Sequence, residues 1–476
     1  MNARIGRLYG LLSGAFVLLI LTVTYWQIWA APGLAERQAN PRRVFRELTI
    51  DRGAIRTADG VVLARNRPEK TSNGRTFYRR VYPQLGLAAH LQGYNSVASS
   101  RSGIELAEND YLTGAADNLT GGLETLVDQT TGQTVRGNDV ILTLRSKAQR
   151  AALDGLRESG HAGAAVAVEP ATGRILAMAS WPTYDPNGDL TKVFKSGSAA
   201  FNRATQGRYP PGSTFKVVTA AAAIEEGLAD PARRFPGGAC IKVYERDFCN
   251  FRGESPGEHD FTEALVHSYN TTFGTLGREL EAERLRTYMD RFGFGAKLPF
   301  DYPSFQIAAS GLFENGKLLA PDAGIDAART AVGQGRLLAT PLQMAMVAAT
   351  IANDGVMMKP QAVLEIRDRS GRRVAVREPE RLGQVVQPET ARTVGRIMSR
   401  VVEEGTGSGV RGIEGLAVAG KTGTAETGRG DLNDAWFIAF APVEQPDVAV
   451  AVVVEDTPQT GGAAAAPIAR RILEAL

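Results

Sequence analysis

The pattern of apolar and polar positions divides the 476-residue chain into three stretches of different character. Residues 8–31 carry no charge, and a helix of that length, at about 1.5 Å per residue, crosses a bilayer core of roughly 30 Å. Residues 32–140 mix short strand-like runs with charged and turn-forming residues, and residues 51–64 read as strand, Asp59-Gly60 turn, strand. From residue 141 the apolar runs lengthen. A strand at 137–144 leads into residues 146–156, whose apolar spacing is helical, and residues 164–180 form two apolar strands around a Pro170-Ala-Thr-Gly173 turn. Residues 341–353 are helical, 435–441 and 448–454 are buried strands, and 464–476 closes as a helix. Strands at both ends with helices between predict an α+β domain whose antiparallel sheet joins the first and last strands. The division expected is a tail at 1–7, an anchor at 8–31, a strand-rich pedestal at 32–140 and a catalytic domain at 141–476.

Charge refines the first stretch. Arg4 and Arg7 precede the apolar run, and Tyr25, Trp26 and Trp29 gather at its far end. That asymmetry predicts a cytoplasmic N-terminus and an external body. The competing reading, a cleaved signal peptide, calls for a shorter apolar core and small residues at its exit. Elsewhere charge adds little: a formal net charge of +3 has no concentrated basic face, which argues against nucleic-acid binding. Four histidines lack metal-binding spacing, so neither metal nor cofactor is expected. The two cysteines, Cys240 and Cys249, flank an alternating run that reads as a small hairpin; a bridge and two free thiols are both open.

Candidate chemistry begins at residues 208–216, Arg-Tyr-Pro-Pro-Gly-Ser-Thr-Phe-Lys. Prolines and a glycine end what precedes and leave Ser213 to open an apolar helix as its cap, with Lys216 one turn on along the same face. A Ser-x-x-Lys alone is weak, since an N-cap serine before a solvated lysine explains it equally. Two further patterns occur once each: Ser268-Tyr-Asn270, and Lys421-Thr-Gly423, set before strands. Singly these are loop caps and an edge strand; together they form the serine acyl-transfer set. Ser213 is the nucleophile and Lys216 its base, neutral only if burial or a nearby charge lowers its pKa. Lys421 supplies that charge, Ser268 relays protons, and Asn270 orients a peptide. Lys421 and Thr422, followed by Gly423, suit a terminal carboxylate. The backbone N–H groups of Ser213 and Thr424 are assigned to the oxyanion.

With these motifs in place the chain resembles the class B penicillin-binding proteins along nearly its whole length. The single anchor, Asp51-Arg-Gly53, Ser102-Gly-Ile-Glu105, Glu169-Pro-Ala-Thr-Gly173, Ala331-Val-Gly-Gln-Gly335, Thr340-Pro-Leu-Gln343 and Lys421-Thr-Gly-Thr-Ala425 all look like family elements. Its short first region and length look most like the actinobacterial penicillin-binding protein A branch. The resemblance implies a peptidoglycan D,D-transpeptidase that cleaves terminal D-alanine from a stem peptide and holds the acyl group on Ser213. It also implies acylation by β-lactams, plasma-membrane anchoring by one N-terminal helix, and a SEDS-family glycosyltransferase as partner. Roughly a hundred residues between anchor and catalytic region leave no room for a glycosyltransferase domain of ordinary size. The alternatives are a β-lactamase or D,D-carboxypeptidase on the same scaffold, and a non-catalytic sensor that kept the pocket.

Overall fold

The computed structural model describes residues 2–26, 47–72, 74–96, 100–116, 136–243 and 245–476. The far end of the expected membrane span, with Trp29, lies outside the described residues. The N-terminal helix, Asn2–Tyr25, takes in residues that the charge pattern sets apart as a tail, because backbone hydrogen bonding continues through the polar end. Its Ile5–Tyr25 segment is the one helix among the described residues long and apolar enough to cross a membrane, and it buries nothing against the body.

The main sheet has five antiparallel strands in the order Ala419–Glu426, Asn433–Ala441, Val448–Thr457, Gly163–Val168, Ile175–Trp181. The last strands of the chain therefore pair with the early hairpin, Val448–Thr457 lying against Gly163–Val168. The continuous apolar runs follow from burial of both faces. Trp436, Ile438 and Phe440 point into one core, while Ala435, Phe437 and Ala439 point into the other. The helix Pro341–Ala352 covers the first face. Ser146–Glu158 and Ala466–Glu474 pack together over the second, burying Ala148, Ala152 and Leu156 at helical spacing. Each large apolar side chain sequestered this way contributes about 1.5–3 kcal/mol. The sheet leaves Ala419–Glu426 at its edge, which is where the site is built.

A second, six-stranded sheet forms the pedestal. Its order is Arg373–Val376, Val363–Arg367, Asp139–Leu142, Ile55–Arg56, Val62–Lys70, Thr76–Val81. The Asp59-Gly60 turn joins Ile55–Arg56 to Val62–Lys70 in antiparallel register, as the pattern predicts. Two strands come from far along the chain, so residues 363–376 complete a sheet begun at residue 55. Under it lies a buried charge cluster. Glu105 accepts from Arg52 Nε at 2.8 Å and from Arg80 Nε at 2.6 Å, and all three side chains are at most 5% exposed.

A hairpin of Cys240–Val243 and Arg246–Cys249 sets Cys240 directly opposite Cys249, and the two are joined by a disulfide. The alternation of that run places both thiols at the open end of one ladder, so of the two open readings the bridge is the one formed.

Candidate active site

Tyr209-Pro-Pro leads into a 3-10 turn, Gly212–Phe215, and the α-helix proper, Lys216–Glu225, begins three residues after Ser213. This corrects the expectation that Ser213 caps the α-helix. Its side chain makes no capping bond; Thr214 Oγ1 closes the turn instead, donating to Pro211 O at 2.7 Å. The cause is local. Gly212 sits at φ 53°, where the chain turns tightly at no steric cost to glycine. A Cβ at Gly212 would also come within 3.1 Å of Thr424 O, so glycine is what lets the turn lie against the edge strand. Gly423 makes the same approach from the other side: a Cβ there would meet Pro211 O at 2.8 Å. The two backbones assigned to the oxyanion thus run side by side. Ser213 is left half-buried with its hydroxyl uncommitted to a cap, while Lys216 is fully buried.

The other motifs converge on Lys216. Its Nζ donates to Ser268 O at 2.7 Å, to Asn270 Oδ1 at 2.7 Å and to Ser268 Oγ at 3.2 Å. Lys421, also fully buried, reaches Ser268 Oγ from the opposite side at 2.9 Å and Thr422 O at 3.1 Å. Ser268 therefore stands between two amines. It does so because its backbone is left-handed, φ 66°, which turns both its carbonyl and its hydroxyl toward Lys216. A strained non-glycine residue held at a reactive centre is the expected place for such a conformation. Asn270 opens the helix Asn270–Arg291, and its Nδ2 donates to Cys249 O at 3.1 Å, leaving its second N–H for another acceptor.

Thr422 and Thr424 behave differently. Strand alternation turns them to the face opposite Lys421. There the Thr422 and Thr406 hydroxyls bond at 2.6 Å, and Thr424 Oγ1 accepts from Gly461 N at 3.3 Å. The sequence reading named neither Thr406 nor the Cys249 carbonyl. A threonine between two glycines, Gly405-Thr-Gly407, was the available signal for the first; a backbone carbonyl leaves none.

Electrostatically the site is a pair of buried cations with no carboxylate bonded to either among the described residues. Burial, and then the charge of Lys421, hold the Lys216 amine well below the usual lysine value. Burial alone brings Lys421 down to about 7. The two amines are coupled, the charge of Lys421 helping Lys216 to give up its proton.

Residues 163–474 match the model of the penicillin binding protein transpeptidase domain, and residues 52–140 that of the penicillin binding protein A dimerisation domain. The chain belongs to the class B penicillin-binding proteins. Among relatives of that family, the peptidoglycan D,D-transpeptidase PbpA of Mycolicibacterium smegmatis is 36% identical over all of this chain and 99% of its own length. PbpA of Mycobacterium tuberculosis is 35% identical over the same shares. The penicillin-binding protein A of M. tuberculosis, solved as an imipenem acyl-enzyme complex, superposes with a TM-score of 0.79 at 34% identity, covering 90% of this chain and 99% of that one.

Proposed function

We propose that this chain is a peptidoglycan D,D-transpeptidase that carries its acyl intermediate on Ser213. The observation that carries the reading is the meeting on Ser268 of two buried lysines, neither bonded to a carboxylate among the described residues, with a half-buried Ser213 in the turn that leads into Lys216. Neutral Lys216 takes the Ser213 proton as Oγ attacks the penultimate D-alanine carbonyl. The oxyanion is met by the N–H groups of Ser213 and Thr424. As the carbon–nitrogen bond breaks, the departing D-alanine nitrogen takes a proton from Ser268, which recovers it from the lysine pair. An acceptor amine then attacks the ester, losing a proton along the same chain in reverse. Asn270 holds the peptide through its remaining N–H, and the terminal carboxylate is assigned to the Thr422 hydroxyl beside Gly423, with the Lys421 charge acting from the other face of the strand. β-Lactams acylate Ser213 by the same route.

The same reading sets the chain's place in the cell. Residues 1–7 are cytoplasmic, 8–31 cross the plasma membrane, 32–140, with the strands of 363–376 added to their sheet, form a non-catalytic pedestal and the rest of 141–476 the external catalytic domain, supported by the arginines before the apolar run and the aromatics after it. A SEDS-family glycosyltransferase supplies the glycan strands whose peptides are joined.

A labelled penicillin tests the reading directly. The full chain is expected to form a persistent adduct that Ser213→Ala abolishes. Given a D-alanyl-D-alanine peptide and an amine, it releases D-alanine and forms one new amide. Turnover of the penicillin within seconds would assign a hydrolase instead, and full replacement of the protein in cells by Ser213→Ala would rule out catalysis as its role.

A further inference from the structure

We propose that the turn at Phe251 and Arg252 is a carboxylate-reading subsite of the cleft, selecting peptides that carry a free internal carboxylate. The proposal rests on the transpeptidase reading above and adds a determinant of substrate choice. Two bonds fix its location. Cys249 O holds the amide of Asn270 at 3.1 Å, and the next residue, Asn250, accepts the Thr271 N–H at 3.0 Å through Oδ1. The chain leaving the disulfide-bridged hairpin thus passes beside Asn270, and Phe251 comes directly after.

Phe251 is an exposed aromatic, 54% accessible, with the Arg252 guanidinium 5.1 Å from its ring centre. Arg252 is itself exposed and has no ion-pair partner among the described residues. Its backbone is left-handed, φ 55° and ψ 20°, a conformation glycine adopts freely and arginine does not. The turn is held in that state from both sides. Gly253 N donates to Asn250 O at 3.0 Å, and Asn250 Nδ2 donates to Glu254 O at 3.0 Å. The turn thus sets an exposed guanidinium and an exposed ring together two residues after the carbonyl that holds Asn270. A planar guanidinium at this place offers parallel N–H donors that match a carboxylate.

The carboxylate can belong to the donor or to the acceptor strand, and the experiment separates them. Full-length protein in detergent is given a D-alanyl-D-alanine donor and an amine acceptor, with the internal carboxylate of one or the other free or amidated. Rates are normalised to sites titrated with fluorescent penicillin. The wild type is expected to prefer the free acid about fivefold in one of the two arms, the size of one partly exposed charge-assisted contact. Arg252→Gly, which relaxes the backbone, brings that preference to about one, and Arg252→Lys retains part of it. The arm that shows the preference names the strand that is read. No preference in the wild type, or the same preference in Arg252→Gly, overturns the subsite. A wild type that makes no amide from any of these pairs overturns the transpeptidase reading, and the subsite with it.

Discussion

Two buried charge clusters, one in each sheet's neighbourhood, have opposite designs. In the pedestal, Arg52 and Arg80 close on Glu105, which also accepts from Tyr82 at 3.3 Å. Burial pushes the Glu105 carboxyl up, yet the charges of Arg80 and Arg52 outweigh it and hold the group below its usual value. In the catalytic domain, Lys216 and Lys421 share a serine and have no such counter-ion among the described residues, and burial drives both amines toward neutrality. Burial is common to the two; the partner decides whether the outcome is a fixed charge or a reactive base. A compensated cluster holds the fold, whereas an uncompensated one stores the capacity to take a proton.

Breaking the clusters one at a time separates these roles. The largest effect is expected from Lys216→Met, which removes the base. Acylation by a labelled penicillin, counted per folded molecule, should fall by about ten-thousandfold, some 5.5 kcal/mol of barrier. Glu105→Ala should do the reverse. It leaves two guanidiniums facing each other at a cost of about 3–5 kcal/mol, read as a lowered denaturation midpoint, with acylation per folded molecule unchanged. A matching drop in the specific acylation rate would mean that the pedestal cluster also shapes the site.

Titration sharpens the contrast. Because the Lys421 charge is one of the causes that lower Lys216, Lys421→Met should move the acid limb of the acylation profile to higher pH. An unmoved limb would remove Lys421 from that role. The two stability slopes share a sign, both rising with pH, and differ in the pH window where each acts. Folded Lys421 sits at about 7 against a reference value of 10.5, so the unfolded chain binds more protons between those values and stability rises with pH there. Glu105 is depressed, so its contribution is present above about 4.5 and is lost as pH falls through its folded value. Denaturation midpoints across pH for the wild type and the two single variants measure both slopes. The smallest effect is expected at Thr406→Val, which leaves the Thr422 hydroxyl without its partner at about 1 kcal/mol, seen as a few-fold weaker acylation by penicillins bearing a carboxylate.

The comparison also marks what could be read before folding. The sheet strands were legible at 435–441 and 448–454, short of their full lengths, because strands buried on both faces are continuous apolar runs. The cysteine pair was legible as a possibility, since alternation places positions 240 and 249 at facing ends of a hairpin. The convergence of the proposed catalytic residues was legible because three short motifs, each weak alone, supply complementary parts of one reaction. Glu105 was visible only as part of a resembling element, with nothing in its neighbours to announce two arginine partners 53 and 25 residues away.

Sequence alone determined the residue types of the chemistry, the element types that carry them and the apolar span at the N-terminus, because each depends on neighbours within a turn or a strand. Tertiary structure decided the rest. It set Ser213 in a 3-10 turn, turned Ser268 left-handed between two lysines, faced Thr422 toward Thr406 and joined residues 363–376 to a sheet begun three hundred residues earlier. These outcomes depend on which distant surfaces are buried together, and burial is a property of the whole fold: it is the largest cause that holds two ordinary lysines below their usual values.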